Sequence, residues 1–379
     1  MENKKLLFIY YRLFKAGGLT KVLVNLCNEL VKEGADVTIL IMMEDKSSFY
    51  HLDSRVKVCC IDTFSTFEFK RINGGLLTKF KKLKHSLSLR NYLYDFGQWR
   101  LLKSWLKKNH KDYDYIVSCY YKLSAQLSLN SDVNFKTFAW EHNSFQHGGF
   151  LWFKLLRKYY KNLKGIICIN EPGYLSYKSI NTNTFLIRNI IGDSYEYLSF
   201  KPFSEKKNHM LLVGRLDNQK NISEFLDILS NVDLKDWKVK IVGTGPQYEM
   251  LSNKILQLSL DDKVELVGQK TETEVINYQS ESKIVCLTSI GEALPTVLIE
   301  AMFCGNALIA YDCNFGPSDI INEKNGFLIP LHNKEEFQQK LQYLIDNPDK
   351  LKQLAESSFN DSVKWKKTNI APQWLSLFK

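Results

Sequence analysis

Glycine and proline are sparse in this chain of 379 residues, at 19 and 8, which excludes a collagenous or low-complexity protein. No apolar run approaches the roughly 18 residues that a membrane-spanning helix needs. The first residues, MENKKLLFIYYRLFKAGG, have too short an apolar core and no small-residue cleavage site for a signal peptide, so the expected location is the cytosol. The eight cysteines (Cys27, Cys59, Cys60, Cys119, Cys168, Cys286, Cys304 and Cys313) form no CxxC pair. Most sit in apolar runs and read as small core residues, not as disulfide or zinc partners. What is present is an apolar fraction of 45% with a net charge of +10, a globular composition long enough for two domains.

The charge is unevenly spread. Residues 1–200 carry 30 basic and 17 acidic groups, a net of +13, whereas residues 201–379 carry 21 and 24, a net of −3. The stretch 70–111 has twelve basic residues and one acid, Asp95, and 151–164 adds five more with no acid. Both interleave charge with large apolar groups: Leu76, Leu77, Phe80, Leu83 and Leu87 beside Lys79, Lys81, Lys82 and Lys84, then Trp152, Phe153, Leu155, Leu156, Tyr159 and Tyr160 among Lys154, Arg157, Lys158 and Lys161. That is the pattern of basic amphipathic helices on an anionic bilayer surface, although solvated helices packing on their own domain would read the same way. Two such clusters in one half, against an acidic second half, favour the bilayer. Nucleic acid is not an expected partner, because no zinc-finger spacing, RNA-binding aromatic signature or heptad-linked basic region occurs.

The order of elements predicts an α/β protein. KKLLFIYY reads as a strand, RLFKAGG as a loop and LTKVLVNLCNELVKEG as a helix ending at Gly34, before the buried strand ADVTILIMM. Further strands are expected near 113–120, 135–142, 165–170 and 184–191. After the polar segment 199–209 the pattern restarts with HMLLVGRL, WKVKIVGTG, KVELVG, KIVCLTS and ALIAYD, separated by helices. Two doubly wound, Rossmann-like halves imply a cleft between them, faced by the loops at the carboxyl ends of the strands. The expected divisions are a first domain over 1–199, a linker over 200–209, a second domain over 210–355, and a last helix, 356–379, returning to the first domain.

The strongest motif is TSIGEALPTVLIEAMFCGNALIA at 288–310. Pro295 fits the first turn of a helix that would stop at Gly305, leaving the amides of Leu294, Thr296 and Val297 pointing from a positive helix end suited to an anion. Glu292 precedes that end and Glu300 lies within the helix on an apolar face. Its carboxylate suits a vicinal diol, or a structural salt bridge. In VGRLDNQKN, Arg215 and Lys220 follow a strand, and two cations at the mouth of a cleft suit a diphosphate, although such charges are often only solvated. Gly17 and Gly18 at a strand-to-helix turn permit close approach of a phosphate, but neither they nor Gly243 and Gly245 complete a dinucleotide fingerprint. Asp112 and Asp114, flanking Tyr113, read as solvated acids ahead of a strand, and no metal is expected.

Gly17 and Gly18, Gly214-Arg215-Leu216 with Lys220, Val242-Gly243-Thr244-Gly245-Pro246, and Glu292 spaced by seven residues from Glu300 together resemble the retaining glycosyltransferases of family 4, of GT-B architecture. The run Phe315-Gly316-Pro317-Ser318-Asp319-Ile320-Ile321 through Asn325-Gly326-Phe327-Leu328 is similar to members that build bacterial lipopolysaccharide, O-antigen or capsule. The resemblance implies transfer of a hexose or N-acetylhexosamine from a nucleotide-sugar, UDP being the family expectation, to a lipid-linked glycan acceptor at the inner face of the cell membrane. It implies that Arg215 and Lys220 bind the donor diphosphate and that Glu300 holds the ribose hydroxyls. Glu292 and the amides after it would meet the sugar and its phosphate, Gly18 would approach the phosphate, and backbone groups near Gly268 would meet the base. His142 matches a family histidine beside the sugar; otherwise it is a satisfied histidine at a strand end. Asn189 matches an asparagine that ends the first domain, without the usual proline after it. No cofactor or metal is implied. A nucleotide-sugar epimerase on the same double fold and a non-catalytic, membrane-bound glycan-binding relative are the alternatives. The intact Arg215, Lys220, Glu292 and Glu300 argue against the second.

Overall fold

The computed structural model describes residues 3–63, 87–199, 201–313 and 315–379, without side chains for 87–93. The amphipathic pattern at 76–84 lies outside these residues. The chain divides into two compact units, Met1–Asn189 with Ala371–Lys379, and Ile190–Ile370.

The first unit is a seven-stranded parallel sheet. Its strands are β1 (Lys5–Tyr10), β2 (Asp36–Ile41), β3 (Lys57–Cys60), β4 (Tyr115–Ser118), β5 (Thr137–Glu141), β6 (Gly165–Cys168) and β7 (Thr184–Leu186). They are ordered β3-β2-β1-β4-β5-β6-β7. Leu6, Leu7, Phe8 and Ile9 of β1 are all fully buried, the unbroken apolar run expected of a parallel strand covered on both faces. Between strands come α1 (Gly18–Lys32), α2 (Leu87–Asn109), α3 (Tyr121–Ser128) and α4 (Glu171–Lys178). Helix α1 buries Val22, Leu23, Leu26, Cys27 and Leu30 along one stripe, and the chain leaves it through Gly34 at φ 87°, where glycine has no Cβ to clash. The order reverses between β1 and β4, so the loops after those two strands flank the switch point where α/β sheets bind ligands.

The second unit is a six-stranded parallel sheet of β8 (His209–Val213), β9 (Lys238–Val242), β10 (Val264–Gly268), β11 (Ile284–Leu287), β12 (Ala307–Asp312) and β13 (Gly326–Pro330). The order is β10-β9-β8-β11-β12-β13, with the switch point between β8 and β11. Its helices are α5 (Asp193–Glu196), α6 (Ile222–Leu229), α7 (Tyr248–Gln257), α8 (Glu272–Glu281), α9 (Thr296–Phe303), α10 (Pro317–Ile320), α11 (Lys334–Asp346) and α12 (Pro348–Asp361). The last helix, α13 (Lys367–Leu377), contains the boundary after Ile370.

Three expectations are corrected. The first unit ends at Asn189, not at 199, because the segment after it is tied into the second: Tyr195 bonds Glu300, and the Lys367 ammonium donates to Asp193 at 2.5 Å. Of the expected returning segment 356–379, only Ala371–Lys379 joins the first unit. There Trp374 packs edge-on to Trp140 at 4.8 Å and Phe378 lies 6.0 Å from Phe138, while Asp361, accepting from Asn322 and Asn325, holds the end of α12 in the second unit.

The stretch 151–164 is not one amphipathic α-helix but a π-helical turn, Phe150–Leu156, followed by a 3-10 helix, Arg157–Asn162. Arg157, read as a surface cation, is only 1% exposed. Lys154, Lys158 and Lys161 remain exposed beside Phe150 and Leu155. Among the described residues no helix is long and apolar enough to cross a membrane.

Candidate active site

In the second unit the sequence motifs meet at the carboxyl ends of β8 and β11. The loop after β9 lies backbone to backbone against the loop after β8. The Gly214 N–H donates to Val242 O at 2.9 Å, the Leu216 N–H to Thr244 O at 3.0 Å, and the Gln247 N–H to Leu216 O at 3.0 Å. A Cβ at Gly243, which sits at φ 144°, would fall 1.8 Å from Gly214 O, and one at Gly245 would fall 2.3 Å from Leu216 O. These glycines are therefore required by loop-on-loop packing, which explains why they look like half of a dinucleotide fingerprint without completing one. Gly268, at φ 80°, accepts the Gly243 N–H at 2.9 Å and extends the stack to β10, with open space where its Cβ would be.

That packing fixes Lys220. Its methylenes run along Gly214, where a Cβ would come within 3.1 Å of Cε, and its Nζ donates to Glu292 Oε1 at 2.6 Å. The segment carrying Glu292 is stitched to the lysine's loop: Ile290 N–H donates to Gln219 O at 2.9 Å, Gln219 Nε2 to Gly291 O at 2.7 Å, and the Thr288 hydroxyl to Lys220 O at 3.1 Å. Arg215 pairs with Asp217 of its own loop and keeps a largely exposed side chain. The structure thus brings together Lys220 and Glu292, 72 residues apart, across the switch point.

Helix α9 begins at Thr296. Pro295 is its N-cap in an extended conformation (φ −75°, ψ 91°), not a residue of the first turn, because the chain enters from the loop that carries Glu292. Among the described residues no side chain caps this end. Leu294 is buried, whereas Thr296 and Val297 are half-buried. Gly316, at φ 90°, lies so close that a Cβ would meet Pro295 Cδ at 2.7 Å and Ala293 O at 2.8 Å, so the segment starting there buttresses the helix entrance. Asn325, fully buried, donates to Ile320 O at 3.0 Å and Asp361 Oδ2 at 3.1 Å. Gly326 next to it would place a Cβ 2.2 Å from Leu308 O. The motif through Leu328 is thus a scaffold. Glu300 is 5% exposed inside α9, and the Tyr195 hydroxyl donates to its Oε2 at 3.2 Å.

The first unit carries the remaining candidates. Gly17 precedes α1 in extended backbone and Gly18 opens it; among the described residues no atom beyond the chain neighbours lies within 4 Å of a Cβ built on either, so nothing described there requires glycine. His142 follows β5, its ring 4.2 Å from that of Trp140. Its Nε2 is buried and has no hydrogen-bond partner among the described residues, and desolvation pushes its pKa down to about 3. Asn189, buried where this unit ends, likewise has an unpartnered Oδ1 among the described residues. Asp114 accepts the Lys5 N–H at 2.8 Å, a structural role, and among the described residues no cluster of three His, Cys, Asp or Glu is placed to hold a metal.

One feature beside His142 is absent from the sequence reading. Glu141, 3% exposed, accepts from the Tyr160 hydroxyl at 3.0 Å and the Tyr177 hydroxyl at 2.8 Å. Arg157 lies 5.5 to 5.8 Å from the ring centres of Tyr121, Phe145, Tyr160 and Tyr177, and donates to the carbonyls of Phe145 and His147. Burial, followed by the charge of Glu141, pushes both Tyr160 and Tyr177 well above the ordinary tyrosine pKa, so they stay neutral donors. Arg157 and Tyr160 lie within the run 151–164 expected at the surface, and Tyr177 lies in a separate helix, so no local pattern joins the three to Glu141.

Two doubly wound parallel sheets, each with its own switch point, are the GT-B fold. Residues 195–361 match the family described as Glycosyl transferases group 1, and the chain is a glycosyltransferase carrying that family's domain. An uncharacterized glycosyltransferase of Haemophilus influenzae is 28% identical over 98% of this chain and 99% of its own length. A Campylobacter jejuni protein named as a GalNAc-alpha-(1->4)-GalNAc-alpha-(1->3)-diNAcBac-PP-undecaprenol alpha-1,4-N-acetyl-D-galactosaminyltransferase is 26% identical over 96% of this chain and 95% of its own. A variant of Staphylococcus aureus TarM, solved in complex with Fondaparinux, alpha-GlcNAc-glycerol and UDP, superposes with a TM-score of 0.77 at 17% identity, covering 99% of this chain and 100% of that one.

Proposed function

We propose that the chain transfers a hexose or N-acetylhexosamine from a nucleotide-sugar, with UDP as the nucleotide, to a lipid-linked glycan acceptor in bacterial surface polysaccharide synthesis, with retention of anomeric configuration. The observation that carries the reading is the pairing of Lys220 with Glu292 in the loop that leads into α9, whose start has no side-chain cap among the described residues. A cation, a carboxylate and helix-end amides in one partly desolvated place suit a diphosphate that gains charge as it leaves. The sugar C1–O bond to the diphosphate breaks and a C1–O bond to the acceptor hydroxyl forms on the same face. The hydroxyl proton passes to a diphosphate oxygen, while Arg215, Lys220 and the α9 amides stabilise the remaining charge. Glu300 takes the ribose hydroxyls, Glu292 the transferred sugar, and Gly268 the base through its backbone. In the first unit, Gly17 and Gly18 leave room for a phosphate, and neutral His142 offers to a sugar hydroxyl an Nε2 that has no partner among the described residues. The donor base is supported by the UDP of the TarM complex and the acceptor class by the undecaprenol-linked substrate in the name of the Campylobacter relative.

Exposed Lys154, Lys158 and Lys161 beside Phe150 and Leu155 support docking on an anionic membrane surface, with no metal or cofactor required. The test is incubation with a panel of nucleotide-sugars and membrane lipid extract, reading which nucleoside diphosphate is released and whether a lipid gains a sugar. Release of one diphosphate with glycosylation of an extractable lipid is expected; hydrolysis without lipid glycosylation would overturn the acceptor assignment.

A further inference from the structure

We infer that Trp374, in the last helix, is a positioning residue for the contact between His142 and the transferred sugar. The inference rests on the proposed role of His142 beside that sugar. Trp140, in β5, and His142, just after it, stand two residues apart on one face of the sheet, with their rings 4.2 Å apart. Trp140 also meets Trp374, edge-on at 4.8 Å, so three rings run in series from the end of β5 to α13. All three belong to the first unit, because Ala371–Lys379 is part of it.

The series is tethered at its far end. The Nε2 of His142 and the indole N–H of Trp140 are both buried and have no partner among the described residues. The indole N–H of Trp374 instead donates to Arg188 O at 3.2 Å, just beyond β7. Trp140 and Trp374 are each 1% exposed. The last torsion of a histidine is intrinsically broad, so packing decides where Nε2 points. Trp140 supplies one wall of that packing, and Trp374, bonded to Arg188 O, keeps the wall in place. A smaller side chain at 374 leaves a void beside Trp140 that a close-packed interior fills only in part. The His142 ring then samples more orientations, and its bond to a sugar hydroxyl weakens, since hydrogen bonds fall off steeply with angle. The nucleotide is spared, because the contacts proposed for it at Lys220, Glu300 and the α9 amides lie in the second unit.

The experiment measures calorimetric dissociation constants for whichever of UDP-glucose, UDP-galactose, UDP-N-acetylglucosamine, UDP-N-acetylgalactosamine and GDP-mannose binds most tightly, and for the matching nucleoside diphosphate. The proteins are the wild type, Trp374→Leu, Trp374→Phe, His142→Ala and the double variant of Trp374→Leu with His142→Ala, each held below its melting temperature. Trp374→Leu is expected to weaken the nucleotide-sugar about three- to tenfold, to leave the diphosphate unchanged, and to add nothing beside His142→Ala. Trp374→Phe keeps a ring against Trp140 without the bond to Arg188, and is expected to weaken the nucleotide-sugar only about twofold. Equal weakening of both ligands by Trp374→Leu would mark a general loss of structure and overturn the inference. So would an unchanged nucleotide-sugar affinity, or a loss that persists undiminished beside His142→Ala; in each case His142 keeps its place beside the sugar. A His142→Ala variant that binds the nucleotide-sugar as tightly as the wild type would overturn the reading of His142, and this inference with it. If Trp374→Leu does not fold, Trp374→Phe decides: no loss, or a loss shared by the diphosphate, counts against the inference.

Discussion

The ammonium of Lys220 sits 2.6 Å from a carboxylate oxygen of Glu292, and the two side chains are only 19% and 11% exposed. Each therefore neutralises the other, and on the proposed role of Lys220 an arriving diphosphate competes with Glu292 for the same cation. Glu292→Gln is expected to bind a nucleoside diphosphate severalfold more tightly than the wild type while turning over substrate at least about 100-fold more slowly. Titration calorimetry beside steady-state kinetics checks both, and weaker diphosphate binding in Glu292→Gln would contradict the competition.

Removing the cation has the complementary signature. Lys220→Ala is expected to lower kcat by about 100- to 1000-fold with a much smaller rise in donor KM, because charge accumulates on the leaving diphosphate in the transition state. An unchanged kcat would exclude a leaving-group role.

The glycines separate packing from function. Gly243→Ala drives a methyl group into the Gly214 carbonyl and is expected to cost about 3 kcal/mol or more, read as a lower urea midpoint. Gly18→Ala meets no neighbouring atom among the described residues and opens a helix, so its stability is expected to stay level or rise by up to about 1 kcal/mol. Its turnover is nonetheless expected to fall at least about tenfold. A fully active Gly18→Ala would remove the phosphate-approach reading.

His142 makes a pH prediction. Desolvation lowers its folded pKa to about 3, below the ordinary 6.5, so between those values the unfolded chain takes up a proton that the folded one refuses. Stability therefore falls as pH drops from 6.5 towards 3, by at most about 1.4 kcal/mol per pH unit from this residue. His142→Asn is expected to show a shallower loss across that window in chemical denaturation. Parallel curves for the two proteins would mean that His142 is protonated in the fold.

Arg157 and its exposed neighbours are expected to part company. Arg157→Met leaves Glu141 without its compensating charge and is expected to destabilise the protein by about 3 to 5 kcal/mol. Lys154→Glu with Lys158→Glu and Lys161→Glu is expected to leave stability nearly unchanged but to abolish retention on anionic lipid vesicles at low salt, each lysine contributing about 1 kcal/mol there. Wild-type protein that fails to bind such vesicles would overturn the membrane surface altogether.

The strands and helices of both units were legible where apolar runs are long, as in β1, α1 and β8. The short strands β3 and β13 were not: Lys57 and Val58 of β3 are exposed at a sheet edge, and β13 opens on a glycine that only the proximity of Leu308 explains. Within the candidate site, the spacing of Glu292 and Glu300 and the Arg215-to-Lys220 run placed residues that the fold gathers in one unit. The burial of Arg157 was illegible because a charge count carries no information on depth, and its compensating acid, Glu141, belongs to a different strand. Tyr195 was illegible for the same reason, since a tyrosine among polar residues reads as surface until its partner 105 residues away is known.

The nine residues Ala371–Lys379 complete the core of a unit whose other part ends at Asn189. Trp374 and Phe378, at 1% and 0% exposure, pack within that core, and Tyr115 bonds the backbone of Lys379. During synthesis the first sheet therefore emerges from the ribosome long before its last core side chains exist, and the second unit is made in the interval. The first sheet is therefore expected to close its core only once residues 371–379 have been made. Proteolysis or truncation near residue 370 thus wounds the half of the protein that is most distant in sequence, and a stop codon there is expected to yield insoluble chains, not a working second unit with a trimmed tail.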